Sequence, residues 1–135
     1  MRKKAQLSLE YLLLLAAVLC IFALLLPLLN NVFQLCLFGL DSVNAKRFSE
    51  EMQGTVARMS FQADGSAATI EANSLLPWKI ASSGEKLLIL VQGRDANKSF
   101  GVSFPNKLEA QGALVLGKKS FFLKKASGKI LLEYD

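Results

Sequence analysis

Few residues in this chain are equipped for chemistry, and the most unusual of them sits near its start. Glu10 stands directly before an uncharged apolar run, residues 11–29, YLLLLAAVLCIFALLLPLL. A lone carboxylate beside lipid or a packed apolar core is costly unless it is neutral, paired or held at an interface. Two roles remain for Glu10. It is an interfacial anion near a helix N-terminus, where the helix dipole favours it by about 0.3–1 kcal/mol, or it is half of an ion pair. Asn97-Lys98-Ser99 has the pattern of an N-glycosylation acceptor, in an expected turn. Lys118, Lys119, Lys124, Lys125 and Lys129 cluster near the C-terminus. They could attract an acidic surface, an extracellular polymer or DNA, or they form a solvated edge that lysines protect from aggregation. The lack of Arg among them, with only Phe121 and Phe122 interleaved, favours the edge. Cys20 and Cys36, sixteen positions apart, would be about 24 Å apart on one helix. A disulfide needs Cα atoms within about 7 Å, so both read as small buried apolar residues.

Other chemistry is excluded by composition. There is no His, so Ser-His-Asp and Cys-His catalysis and imidazole zinc sites are out. Two Cys cannot build a four-thiolate metal site. No Gly-rich phosphate loop is present, and no spacing points to Ser-Lys chemistry. Neither an enzyme nor a cofactor nor a metal is expected. Apolar residues make up 52% of the 135 and charged residues 20%, which is too much to bury for a disordered chain. The net charge is +5, but Arg2, Lys3 and Lys4 supply three of those charges. The pI near 9.4 thus reports a basic tip rather than a nucleic-acid-binding face.

The elements that position these residues begin with the apolar run. Nineteen residues of helix reach about 28 Å, close to the roughly 30 Å hydrocarbon core of a bilayer. The run is apolar on all sides, as expected of a lipid-embedded segment. Three positive charges precede it, and the first charge after it is Asp41. The positive-inside rule therefore places the N-terminus in the cytoplasm and the remainder outside. A secretory signal peptide has a shorter apolar core, about 7–15 residues, with small residues at the cut. Here Ala16 and Ala17 lie within the core, and Leu19 before Cys20 disfavours a lipoprotein cut.

Lys3-Lys4-Ala5-Gln6-Leu7-Ser8-Leu9-Glu10-Tyr11-Leu12 resembles the class III signal peptide of archaeal type IV pilin-like proteins. The basic leader, Gln6, Ser8, Glu10, Tyr11 and the apolar run occur in the family's order and spacing. Ala5 departs mildly, Gly being commoner there. The resemblance implies that a prepilin peptidase cuts on the cytoplasmic side, between Ala5 and Gln6. That cut would remove the charges that fix orientation and keep the apolar helix. It would also create an ammonium on Gln6, four residues before Glu10. The resemblance further implies assembly into a filament. There Glu10 would pair with the Gln6 ammonium of a neighbouring subunit, since a paired charge in an apolar core is tolerable and an unpaired one is not.

Beyond the span the pattern stays helical. Pro27 predicts a kink or local loosening. Ala45, Phe48, Met52, Val56 and Met59 recur at spacings of 3, 4, 4 and 3, one helical face that should pack on the downstream domain. Asp41, Arg47, Glu50, Glu51 and Arg58 lie mostly off that face. Residues 62–66, QADGS, end the helix. About 50 residues of helix, on the order of 80 Å, would form a rod capped by a small head. In the head, residues 87–91, 100–104 and 113–116 read as strands, and 120–124 with 129–134 as a hairpin. Gly117 would end the third of these, while Thr69-Ile70 and residues 78–80 add short strands.

The expected architecture is α+β. Residues 1–5 are a basic leader, and 6–62 a long helix with its membrane span at about 11–29. Residues 67–135 form an extracellular, mostly antiparallel β head on the amphipathic half of the helix. The expected function is a type IV pilin-like structural subunit, membrane-bound as a precursor and placed in a cell-surface filament. Its partners would be prepilin peptidase, the membrane, the pilus assembly machinery, and copies of itself or related pilins. The alternative is a single-pass anchored surface binding module, or an accessory subunit of a membrane complex, that does not polymerise.

Overall fold

The computed structural model describes the backbone of residues 2–94, 96–104, 108–110 and 112–134, and the side chains of 8–94, 96–104 and 112–134. One helix, α1 (Arg2–Ser60), is followed by six strands: β1 (Ala67–Ser83), β2 (Lys86–Gln92), β3 (Asn97–Ser103), β4 (Leu108–Ala110), β5 (Ala113–Ala126) and β6 (Lys129–Tyr134). The chain divides into two units, Met1–Leu35 and Cys36–Asp135.

In the second unit, α1 ends two residues before the expected 62. The turn after it tightens, with Phe61 N–H donating to Arg58 O (3.2 Å) and Gln62 N–H to Met59 O (3.1 Å). Among the described residues the sheet has the order β3-β2-β1-β5-β6-β4. Every neighbouring pair is antiparallel except the short edge strand β4, which runs parallel to β6. The fold is thus α+β, with a mostly antiparallel sheet.

The helical stripe does what its spacing predicts. Ala45, Phe48, Met52, Val56 and Met59 are all buried, against Ile70, Trp78, Leu87, Ile89, Phe121 and Leu123 of the sheet. The strands alternate buried and exposed residues, so one face of the sheet is dry and the other wet. Phe48 anchors the contact, its ring 5.2 Å from that of Phe121 and 6.0 Å from that of Trp78. Where the β2–β3 turn crosses the helix, only glycine fits: a Cβ on Gly93 would come within 2.7 Å of the Phe38 ring.

Two strands are longer than the sequence predicts, for one reason. β1 runs unbroken through Pro77, and β5 through Gly117. Their register steps from Ser74↔Gly117 to Trp78↔Val115, leaving Leu75, Leu76 and Pro77 as a bulge. Pro is admitted to a sheet at such a bulge because it has no N–H to pair. Gly117, with φ of +82°, supplies the left-handed conformation opposite it. Gly117 therefore marks an irregularity within a strand, not its end.

The bulge leaves two N–H groups without ladder partners, and Asp41 takes both. Its Oδ1 accepts from Leu75 N–H (2.8 Å) and its Oδ2 from Leu76 N–H (3.1 Å). Oδ2 also accepts from the indole Nε1–H of Trp78 at 2.6 Å. Asp41 is fully buried, which corrects its placement off the buried face. It stands four residues before Ala45 and extends the stripe by one step.

Lys125 makes the reciprocal contact from sheet to helix. Its Nζ donates to the carbonyls of Ser60 (3.0 Å) and Gln62 (2.7 Å). A cation on the last helical carbonyl and on the turn that follows satisfies groups that the helix cannot pair itself. The expected lysine edge is therefore not one surface. Lys125 is buried, and Lys118 pairs with Glu71 on the wet face at 2.8 Å. Strand alternation separates them: Lys118 and Lys124 share the wet side, while Lys125 falls in line with buried Phe121 and Leu123.

Leaving a buried donor unpaired costs about 1–3 kcal/mol. Asp41→Ala should therefore destabilise the fold by about 3–5 kcal/mol, and Asp41→Asn, which keeps one acceptor oxygen, by about 1–3 kcal/mol. Denaturant unfolding of the full chain in detergent, followed by Trp78 fluorescence, measures both. Equal stability of wild type and Asp41→Ala would contradict the bulge assignment. Lys125→Met keeps the stem but removes the cap, and should cost about 1.5–3 kcal/mol in the same assay.

Candidate functional site

The first unit carries the signal residues. Leu, Ala and Met are strong helix formers, and residues 11–29 are rich in the first two, so this stretch is helical throughout and Pro27 lies inside α1. The side chains of Lys3, Lys4, Ala5 and Gln6 lie outside the described residues. Their backbone belongs to α1, so Gln6 and Glu10 stand one helical turn apart. Ser8, Glu10 and Tyr11 are exposed. Among the described residues no cation pairs with Glu10.

The apolar side chains behind Glu10 are exposed on every side. Their exposure ranges from 39% at Val18 to 77% at Leu24. The most apolar stretch of this helix has a mean hydropathy of 3.1, and none of it is buried. This is one helix long and apolar enough to cross a membrane. No charged residue occurs between Glu10 and Asp41. The surface suits lipid or other apolar helices and is unsuited to water.

Cys20 and Cys36 are free thiols, and both are exposed rather than buried. Asn97 is exposed as well, but it opens strand β3 instead of lying in a turn. Among the described residues no three His, Cys, Asp or Glu side chains come together as a metal site would need. An open hollow of about 240 Å³ between the last turns of α1 and the start of β1 is lined by Glu51, Thr55, Arg58 and Thr69, among others.

The roles of Asp41 and Lys125 are not visible in the sequence alone. Both act on backbone groups far along the chain, and the only local signal for each is its in-phase position with buried apolar neighbours.

Residues 3–26 match the family model of the class III signal peptide. The match covers the leader and most of the apolar run and leaves the β head outside it. No curated protein and no solved structure matches the chain. The signal peptide and the uncovered helix fit a membrane-anchored precursor. The match thus gives residues 3–26 as a class III signal peptide, at the head of a helix long and apolar enough to cross a membrane.

Proposed function

We propose that this protein is a structural subunit of a cell-surface filament, with no catalytic role. The observation that carries the reading is the fully uncovered apolar helix directly behind the leader. The precursor sits with Arg2 to Lys4 in the cytoplasm and the β head outside. Cleavage between Ala5 and Gln6 removes the basic tip and keeps the helix. In lipid that helix has no hydrophobic reason to associate, because the tails already satisfy it. Once subunits leave the bilayer, the same surface must be covered by copies of itself or related pilins, and tight helix packing drives assembly.

Glu10 sets the register. An uncompensated carboxylate in that helix core would be strongly unfavourable. The new Gln6 ammonium of a neighbouring subunit supplies the missing cation, and breaking such a buried pair costs about 3–5 kcal/mol.

Mass spectrometry of the native protein should find a mature N-terminus at Gln6. A start near residue 30 or beyond would mean that the apolar segment is discarded on export. Glu10→Ala should abolish filaments while mature subunit persists in the membrane at wild-type level. Glu10→Gln should do the same, because it removes the charge but keeps the shape. Normal filament yield in either variant, read by electron microscopy and immunoblot, would contradict the pairing.

A further inference from the structure

The filament reading leaves the wet face of the sheet unused. β3 lies at the sheet's edge, paired only with β2 among the described residues. Asn97 and Ser99 are two apart on an extended strand, so both point to the same side. That side is the wet one, because the alternate residue Val102 is buried against the core. Lys98 points the other way, its ammonium 5.5 Å from the centre of the Phe100 ring. Nothing charged on β3 therefore shares the side of Asn97.

The rest of that side is narrow. Ser99, Gly101 and Ser103 continue from Asn97 over about 20 Å of strand. Beside them on β2, Ser99 faces Leu90 and Gly101 faces Leu88. Leu88 is 45% exposed. A row of small residues thus runs from an exposed asparagine past the half-buried Leu90 and the exposed Leu88, along an edge that pairs with no further strand among the described residues. An unprotected edge of this kind recruits foreign strands. A single lysine is the only charge on β3 to discourage it.

We infer that Asn97 carries an N-linked glycan that lies along β3 and shields both the sheet edge and Leu88 and Leu90. Asn97-Lys98-Ser99 is the only such acceptor pattern in the sequence. The donor is a glycan carried on a lipid phosphate. Asn97 Nδ2 attacks its anomeric carbon, and the new C–N bond forms as the bond from that carbon to the phosphate oxygen breaks. The phosphate leaves with the electron pair, and the amide nitrogen gives one proton to a base of the transferring enzyme. Attachment at the edge places the glycan clear of the helix face that packs on the sheet.

This inference rests on the head being outside the cell, so the experiment reads that separately. Full-length protein is purified from its own membranes, and the peptide containing Asn97 is weighed. In parallel, intact cells are treated with an amine reagent that cannot cross membranes, and head lysines are scored for labelling. A sugar mass on the Asn97 peptide, lost in Asn97→Gln and Ser99→Ala and kept in Ser99→Thr, establishes the site. A labelled head with an unmodified Asn97 peptide overturns the glycan and leaves the filament reading standing. An unlabelled head overturns both.

Discussion

One buried carboxylate joins the two layers of the head. β1 must run the whole way from the helix to the β2 hairpin, yet it carries Pro77 and two surplus residues midway. Such a defect would leave backbone donors stranded in a dry interface. Asp41 removes the problem at its source. Two of the three bulge residues have N–H groups and both reach Asp41, while the third is a proline with none. The donor account closes without water, as buried backbone requires. Because the same carboxylate also takes the Trp78 indole, the largest core side chain, the bulge and the helix are fixed by one group. Lys125 does the complementary task at the other end of the helix, so the layers are clamped at both ends of the Ala45–Met59 stripe.

That clamp has a consequence for the energetics. A sheet of about 70 residues has a marginal core alone, and no disulfide supports it. The amphipathic half of α1 supplies the missing second layer, and its register on the sheet is set by polar contacts rather than by packing alone. Apolar surfaces slide at little cost, whereas a carboxylate with three donors has one position. The surface Lys118–Glu71 pair, exposed on both sides, contributes at most about 1 kcal/mol and does not compete with these contacts.

The legible parts of the sequence were those written in short-range periodicity. The stripe from Ala45 to Met59, the β5–β6 hairpin around Ser127-Gly128, and the strand at 87–91 all follow from spacing of 3.6 or 2 and from local turn chemistry. The leader was legible because its residues fall at fixed offsets from one another. What could not be read were pairings between distant positions. Pro77 and Gly117 each look like the end of a strand. Only when β1 and β5 are side by side do they become the two halves of one bulge. Asp41 and Lys125 were hidden for the same reason, as their partners lie dozens of residues away. Asn97 appeared to lie in a turn because the edge strand it opens is short and poor in apolar residues.

The apolar half of α1 presents the opposite situation. In the head, Asp41 and Lys125 find backbone partners and the apolar residues of the stripe find a core. Among the described residues the leucines of 11–29 are all exposed, a surface suited to lipid or to other subunits. The most direct measurement is helical reconstruction, by cryo-electron microscopy, of the material sheared from cells that express the native protein. The account predicts a central rod of packed α-helices that begin at Gln6, with the β heads outermost. Sheared material with no filaments, or a fibre whose core is built from the β heads alone, would contradict it.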